Sequence, residues 1–361
     1  MNTPPKKDFT RRLLQWYQVH KRDLPWRQTA DPYVVWLSEI ILQQTRVEQG
    51  QPYFQRFIES FPKIEKLANA PQDQVMRLWQ GLGYYSRARN LHAAAKMVAD
   101  VHKGQFPATY AEILKLPGVG PYTAAAIASF CFGQPHAVVD GNVYRVLSRV
   151  FGITEPVDLP NTKKQIQALA DEVLDTNDPA THNQAIMEFG ALHCKPANPD
   201  CGSCIFQDTC QAFGRGLVAE IPAKAGKNKI TTRYFNYLVI HDIGKTLIRK
   251  RNEPGIWRDL FEPPMVESSK PLTLQELKAT TLWKNICMDP QTEVLQVQDR
   301  KPHKLSHQTI YARVYFVKCR LNPESLSDGP YLTVGKSKLR QYAVPRLIEQ
   351  VFEEKFTGYG K

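Results

Sequence analysis

Apolar residues recur at helical spacing through the first part of the chain. Ile166, Leu169, Ala170, Val173 and Leu174 fall on one face of a 3.6-residue repeat, and similar segments run as far as Phe213. This part predicts an all-α domain. From Tyr234 the pattern changes to short runs rich in β-branched and aromatic residues, YFNYLVIH and later YARVYFVK. In the second run Ala312, Val314 and Phe316 alternate with Tyr311, Arg313 and Tyr315, the period of a strand. Helical spacing returns at Val344, Leu347, Ile348, Val351 and Phe352, which predicts one amphipathic helix covering a sheet. The second part therefore reads as α+β, a smaller α/β sandwich. Between the two, Gly214 to Thr232 is rich in Gly, Ala and Lys, contains Pro222 and has no periodic apolar face, so a linker is expected there. The expected domains are residues 1–213 and 233–361. No internal repeat or low-complexity tract interrupts them.

Length agrees with this division, because 361 residues exceed what one core usually organises. No apolar run follows Met1 to Thr10, and no stretch approaches the roughly 18 apolar residues of a membrane span. A soluble cytoplasmic protein without a membrane partner is expected, nucleoid-associated if bacterial. The formal charge is +12, with 25 basic against 21 acidic residues up to 228 and 22 against 14 beyond. Such an excess points to a polyanionic partner.

Four of the seven cysteines crowd together as Cys194-x6-Cys201-x2-Cys204-x5-Cys210, while Cys131, Cys287 and Cys319 are scattered as in a reducing compartment. Short, irregular gaps suit a compact thiolate site. Zinc ribbons more often show two well separated C-x2-C pairs, and one four-iron, four-sulfur cluster fits better. Four unrelated buried or disulfide-bonded cysteines are the plain alternative.

Three further segments carry possible chemistry. In LPGVGPYTAAAI (116–127), Gly118 and Gly120 open a tight turn before an Ala-rich helix, giving a helix-hairpin-helix at about 111–131. Backbone N–H groups there can approach a phosphate. In HAVVDGNVYRVLSRV, Asp140 stands where an amphipathic helix begins, an N-cap position that keeps a carboxylate ionised and able to face a developing positive charge. In WLSEIILQQTRV (36–47), Glu39 sits among Leu37, Ile40, Ile41 and Leu42. Desolvation on such an element raises a carboxyl pKa toward the value a general acid needs.

SEIILQQT, GLGYYSRARN, LPGVGPYTAAAI, VDGNV and the four-cysteine spacing occur in an order that resembles the MutY-type adenine DNA glycosylases, helix-hairpin-helix enzymes related to endonuclease III. The resemblance is dense from Asp8 to Gln211 and looser beyond. It implies a multidomain enzyme: an all-α glycosylase domain with an iron–sulfur cluster loop at 194–210, then an α+β Nudix-like domain. Its implied substrate is adenine opposite 8-oxoguanine, and more weakly opposite guanine, in duplex DNA. It acts as a monomer that flips the base out and hydrolyses the glycosidic bond.

By the resemblance, Glu39 is the general acid and base, and Asp140 stabilises the oxocarbenium-like sugar or traps it. Tyr122 stands where endonuclease III-like enzymes carry the lysine that forms a Schiff base, which implies no strong lyase activity. Tyr122 and Asn142 support the site. Arg27 and Glu188 lie near the flipped adenine, and Gln44 and Tyr84 lie near the 8-oxoguanine. Cys194, Cys201, Cys204 and Cys210 ligate the cluster, and Lys195 contacts DNA. Without the resemblance, Tyr84 and Tyr85 read as core aromatics, and Arg27, Gln44 and Glu188 pass as surface residues. In the second domain GIWRDLFEPP (255–264) resembles a Nudix element, but no R-E-x-x-E-E box follows, so recognition is expected in place of nucleotide hydrolysis. Leu305-Ser306-His307 matches a Phe-Ser-His recognition loop at Ser306 and His307. The rival readings are an abasic-site lyase of the endonuclease III kind and a non-catalytic iron–sulfur DNA-binding protein.

Overall fold

The structure is a computed structural model that describes residues 5–226, 230–321 and 329–356; residues 227–229 of the expected linker lie outside the described residues, as do 1–4 and 357–361 at the ends of the expected domains. The chain forms two compact units, and the division is discontinuous: 1–69 with 90–226, and 70–89 with 227–361.

The helices of the first part are α1 (Lys6–His20), α2 (Pro32–Leu42), α3 (Val47–Ser60), α4 (Ile64–Asn69), α5 (Gln72–Trp79), α6 (Ser86–Asp100), α7 (Tyr110–Ile113), α8 (Pro121–Phe132), α9 (Gly141–Phe151), α10 (Pro160–Val173), α11 (Pro179–Leu192) and α12 (Gln211–Gly214). Local sequence starts and stops several of them. Asp31, Asp140 and Asp178 each accept a backbone N–H of the helix they cap, and Pro32, Pro121 and Pro179 occupy first helical positions. Gly133 and Gly152 end α8 and α9 in the left-handed region, at φ 62° and 74°.

In the helical unit Phe9 and Leu13 of α1 pack with Val146 and Leu147 of α9, Ile166 of α10, and Ile186 and Phe189 of α11; Phe206, from the cysteine loop, completes this core. The ring of Phe206 stacks on Phe9 at 4.8 Å and meets Phe189 edge-on at 5.4 Å. Aromatic burial of this kind ties the cysteine loop to the body of the unit. Helix α2 packs against α3 and α8 and is buried at Tyr33 and from Val35 through Ile41, so its central residues, Glu39 among them, lack a solvent face. Between α7 and α8 the chain turns at Gly118, where φ is 75° and a Cβ would stand 2.5 Å from the Cβ of Asn90. Only glycine allows that backbone and that approach together.

The segment that reads as a linker is folded up to Gly226. Ile221 lies in the helical core with Leu217 and Val218 against it, and Arg149 Nε donates to the Ile221 carbonyl at 2.8 Å. The Val157 N–H donates to the Ala223 carbonyl at 3.0 Å. Sparse but well placed apolar residues dock this stretch, a pattern too short to register as a periodic face.

In the second unit β1 (Thr231–His241), β4 (Met265–Ser268), β5 (Glu293–Asp299), β6 (His303–Lys304) and β7 (Gln308–Lys318) form one sheet in the order β4-β1-β7-β5, with β6 also on β7. Strands β1 and β7 pair in parallel, Thr231 with Gln308 through His241 with Lys318, while β4, β5 and β6 pair antiparallel. A smaller sheet joins β3 (Phe261–Glu262), β2 (Lys245–Lys250) and β8 (Tyr331–Gly335). Helices α13 (Leu274–Ala279), α14 (Thr281–Ile286) and α15 (Arg346–Lys355) complete the unit. The expected last helix is present, with Leu347, Ile348, Val351 and Phe352 all buried.

In β7 the alternation holds from Ile310 to Val314 and then stops, because Tyr315, Phe316 and Val317 are all buried. Tyr315 and Val317 pack with Leu238, Ile240, Leu277 and Trp283, which covers the second face of this central strand. The unit also contains a fully buried carboxylate. Glu262 accepts from Arg249 Nη2 and Arg251 Nη1, each at 3.0 Å, and from the Tyr237 hydroxyl at 3.3 Å.

Residues 70–89 are built into this second unit. Lys250 Nζ pairs with Asp73 at 2.5 Å, Arg89 donates to the Arg258 carbonyl at 2.9 Å, and the Gln80 carboxamide bridges to Glu349 and to the Val344 N–H.

Candidate active site

A cleft of about 1340 Å³ opens in the helical unit, walled by α2 and the turn after it, the Gly118–Tyr122 hairpin, the start of α9, α11 and the first residues of the cysteine loop. Ten of the expected site residues line it: Arg27, Glu39, Gln44, Gly118, Gly120, Tyr122, Asp140, Asn142, Glu188 and Lys195. The topology explains the meeting. Packing of α2 on α8 brings residues 39 and 122 together, and packing of α9 on α11 sets Asn142 against Gly190, two residues from Glu188.

Glu39 is 8% exposed. Burial drives its carboxyl up to about 7; the Tyr122 hydrogen bond opposes the rise, the negative charge of Asp140 adds to it, and Arg27 opposes it. The Tyr122 hydroxyl donates to Glu39 Oε2 at 2.7 Å, which leaves Oε1 without that bond. Asp140 caps α9: Oδ1 accepts the N–H groups of Asn142 and Val143, both at 2.8 Å, and Oδ2 accepts Asn142 Nδ2 at 2.7 Å. Burial raises the Asp140 carboxyl above its ordinary value, so the cap alone does not set its charge. The Val143 and Asn142 donors and the guanidinium of Arg145 act in the other direction.

Glu188 is 1% exposed and reaches the opposite outcome. Burial raises it, but the hydrogen bonds and charges of Arg22 and Arg27 outweigh that cost and hold it at about 2. Arg22 grips both oxygens through Nε at 2.9 Å and Nη2 at 2.8 Å, and Arg27 Nη2 reaches Oε2 at 2.8 Å. Charge-assisted pairs of this kind keep a buried carboxylate ionised.

Several supporting residues were not picked out from the sequence. Arg22 is one; its nearness in sequence to Arg27, in KRDLPWR, is the only local hint. Arg145 and Arg149 look like the polar face of an exposed helix, yet both are buried. Arg145 donates to Asn142 Oδ1 at 2.9 Å, the Gly190 carbonyl at 2.7 Å and the Cys194 carbonyl at 2.7 Å. Arg149 donates to the Lys195 carbonyl at 2.7 Å and the Pro196 carbonyl at 3.1 Å. The spacing of four that puts them on one face of α9 was the available signal.

The four clustered cysteines form no disulfide. Cys210 lies within the helical core and Cys194 and Cys204 pack against it, while Cys201 lies close enough to act electrostatically on Cys204 and Cys210. Burial raises the Cys204 thiol to about 12; the Phe206 N–H opposes this, and Cys194, Cys210 and Cys201 add to it. Two donors point at sulfur, Phe206 N–H to Cys204 at 3.4 Å and Arg149 Nη1 to Cys194 at 3.5 Å. Among the described residues, no set of three or more His, Cys, Asp or Glu side chains is arranged for a single metal ion.

The remaining expected residues belong to the other unit. Tyr84 lies in its 70–89 segment, is 49% exposed and adopts φ 47°, whereas Tyr85 is buried. Ser306 and His307 are exposed at the tip of the β6–β7 hairpin, where Leu305 N–H donates to the Gln308 carbonyl at 2.8 Å and Ser306 Oγ meets His307 Nδ1 at 3.2 Å.

Residues 37–176 match the model of the HhH-GPD superfamily of base excision DNA repair proteins, and residues 236–354 match the NUDIX domain. Fold and site thus define a helix-hairpin-helix base-excision repair protein with a Nudix-like domain. Among curated proteins, an adenine DNA glycosylase of Buchnera aphidicola subsp. Baizongia pistaciae is 36% identical over 311 residues, covering 84% of each chain. The adenine DNA glycosylase of Schizosaccharomyces pombe is 40% identical over 94% of this chain and 87% of its own. The human one is 44% identical over 57% of this chain and 40% of its own. The chain belongs to the adenine DNA glycosylase family. Among solved structures, a thermostable thymine-DNA glycosylase matches with TM-score 0.55 at 30% identity, over 58% of this chain and 97% of its own. A non-covalent endonuclease III–DNA complex shares the fold at TM-score 0.52 and 22% identity, over 59% of this chain and 99% of its own.

Proposed function

We propose that the protein removes adenine from duplex DNA where it stands opposite 8-oxoguanine, and more weakly opposite guanine, by hydrolysing the N-glycosidic bond of a flipped-out nucleotide. The observation that carries this reading is one cleft holding two carboxyls of unlike environment: Glu39, raised to about 7, and Asp140, with three N–H donors on its oxygens. Near neutral pH Glu39 is divided between acid and base. It protonates the departing base and afterwards takes a proton from the attacking water. Asp140 faces the positive charge that develops on the sugar. Tyr122 orients Glu39, and Asn142 orients Asp140. The ionised Glu188, fixed by Arg22 and Arg27, provides a rigid acceptor for the amino edge of adenine. The first N–H groups of α8, opened by Gly118 and Gly120, suit a backbone phosphate.

A lyase needs an amine at the sugar, and Tyr122 cannot supply one. Lys195 is the only lysine on the cleft wall among the described residues; it is exposed, at the mouth of the cysteine loop, and is assigned to phosphate. Cys194, Cys201, Cys204 and Cys210 would hold a four-iron, four-sulfur cluster. The residues fit it: four thiols free of disulfides come from one loop, Cys194, Cys210 and Cys201 stand close enough to Cys204 to raise its thiol, and N–H donors are aimed at two of the sulfurs. When bound, such a cluster supplies a brace for the loop that carries Lys195. Gln44, Tyr84, Ser306 and His307 read the base opposite adenine. The protein acts as a monomer.

The test is base release from a duplex bearing one adenine opposite 8-oxoguanine, with aliquots analysed before and after hot alkali. Strand breaks that appear only after alkali are expected. Breaks without alkali would establish a lyase, and no adenine release from protein with its iron intact would favour a non-catalytic DNA-binding protein.

A further inference from the structure

The residues assigned to the adenine strand all lie in one unit; of those assigned to the opposite base, Gln44 lies in that same unit, and Tyr84, Ser306 and His307 lie in the other. Tyr84 belongs with the second unit although it is more than 140 residues from that unit's first strand. The segment that carries it is tied in at a particular point. Gln80 ends α5, is 7% exposed, and has both ends of its carboxamide engaged: Nε2 donates to Glu349 Oε1 at 2.6 Å and Oε1 accepts the Val344 N–H at 3.1 Å. Glu349 stands in the first turn of α15, where its other oxygen accepts Arg346 Nη1 at 2.7 Å.

Directly after Gln80 the backbone enters a strained turn. Gly81, Gly83 and Tyr84 have φ of 97°, 75° and 47°. For tyrosine that region is unfavourable and persists only where surrounding bonds enforce it. The bonds are present: Trp79 Nε1 donates to the Gly83 carbonyl at 3.0 Å, Arg87 Nη2 to the same carbonyl at 3.3 Å, and Gly81 N–H to the Tyr85 hydroxyl at 3.3 Å. The Arg87 guanidinium lies over the rings of both Trp79 and Tyr84, at 5.1 and 5.6 Å. The result is an exposed aromatic ring presented at one fixed angle from a turn whose entry is clamped to α15.

We infer that Gln80 is a specificity-determining positioning residue: by anchoring the start of the Gly81–Tyr84 turn to Glu349 and Val344, it makes the placement of Tyr84, and so discrimination of the opposite base, a property of the C-terminal unit. The inference rests on the 8-oxoguanine reading of Tyr84 and adds to it the residue through which the C-terminal unit acts. Gln80 touches neither the reacting atoms nor the cleft wall.

The test uses the full-length protein in single-turnover adenine release from two duplexes, adenine opposite 8-oxoguanine and adenine opposite guanine. For Gln80→Ala the rate on the first is expected to fall about tenfold, the size of effect that loss of buried hydrogen bonds produces, while the rate on the second changes less than about twofold. Glu349→Ala, which removes the anchor from the α15 side and leaves Gln80 in place, should reproduce the change and serves if Gln80→Ala folds poorly. In a Tyr84→Ala background Gln80→Ala should have no further effect. Equal losses on both duplexes, or full additivity with Tyr84→Ala, would make Gln80 a structural residue only and overturn the inference. A wild-type protein that released adenine equally from both duplexes would instead overturn the 8-oxoguanine reading, and the inference with it.

Discussion

The two units each bury a glutamate against a tyrosine hydroxyl, and the outcomes differ. In the sheet unit Glu262 receives Tyr237 together with two guanidinium groups, Arg249 and Arg251, so its oxygens are spent on holding three strands together. In the helical unit Glu39 receives Tyr122, and Arg27, whose charge acts on it, bonds to Glu188. Without a bonded cation, burial dominates and the carboxyl rises to about 7. Glu188, in the same cleft with two arginines, stays at about 2. Whether a buried carboxyl becomes an acid or a fixed anion is thus decided by how many cations bond to it. Two bonded arginines make Glu188 a fixed anion in the cleft, whereas Glu39, with a neutral donor in their place, can move a proton.

The largest effect should come from removing that proton. Glu39→Gln is expected to lower adenine release about a thousandfold with duplex binding retained. Near wild-type release by this variant would remove Glu39 from the mechanism. The same substitution should stabilise the fold at high pH. Folded Glu39 holds its proton up to about 7 and unfolded Glu only to about 4.5, so its ionisation costs stability as pH rises between those values, at most about 3 kcal/mol in all. Thermal melts at about pH 8 should place Glu39→Gln above wild type, and the gap should close near pH 4.

Next in size is the cysteine loop. Cys204→Ser should abolish the visible iron–sulfur absorption and lower the melting temperature of the purified protein, because a metal cluster that binds only the folded state adds its binding energy to stability. A colourless wild-type protein with zinc in place of iron would reject the cluster assignment. The pH profile gives a further contrast: single-turnover release should decline tenfold per unit above about pH 7, where Glu39 loses its proton. A flat profile between about pH 6 and 9 would mean that another group supplies it. The smallest effect is expected from the sheet unit. His307→Ala should reduce the preference for adenine opposite 8-oxoguanine over adenine opposite guanine several-fold, the worth of about one hydrogen bond, without lowering release opposite guanine. Equal loss on both would move His307 from recognition to structure.

Much of this was legible along the chain. The caps and prolines that start α2, α8, α9 and α11 are local signals, and so is the glycine turn before α8. The change from helical to strand spacing near Tyr234 marks β1, and the final amphipathic helix is where its apolar face predicts it. The burial of Arg145, Arg149 and Glu188 was not legible, because a charged residue at helical spacing has the same sequence signature whether it meets water or a partner from a distant helix. Nor was the covered second face of β7, since Tyr315 serves equally as an outward or inward residue until α13 and α14 pack over it.

The sequence alone determined which chemical groups the protein has and which local backbones carry them: a glutamate in an apolar helix, an aspartate at a helix start, a glycine hairpin with tyrosine in place of lysine, and four closely spaced cysteines. These depend on neighbours within a few residues. Tertiary structure alone decided their ionisation and their company. It left Glu39 without a bonded cation and gave Glu188 two, joined Asn142 to the cysteine loop through Arg145, and set Tyr84 in the unit that bears Ser306 and His307. The physical reason is that desolvation and charge pairing depend on distances between segments far apart in the chain, which packing fixes and local sequence does not encode.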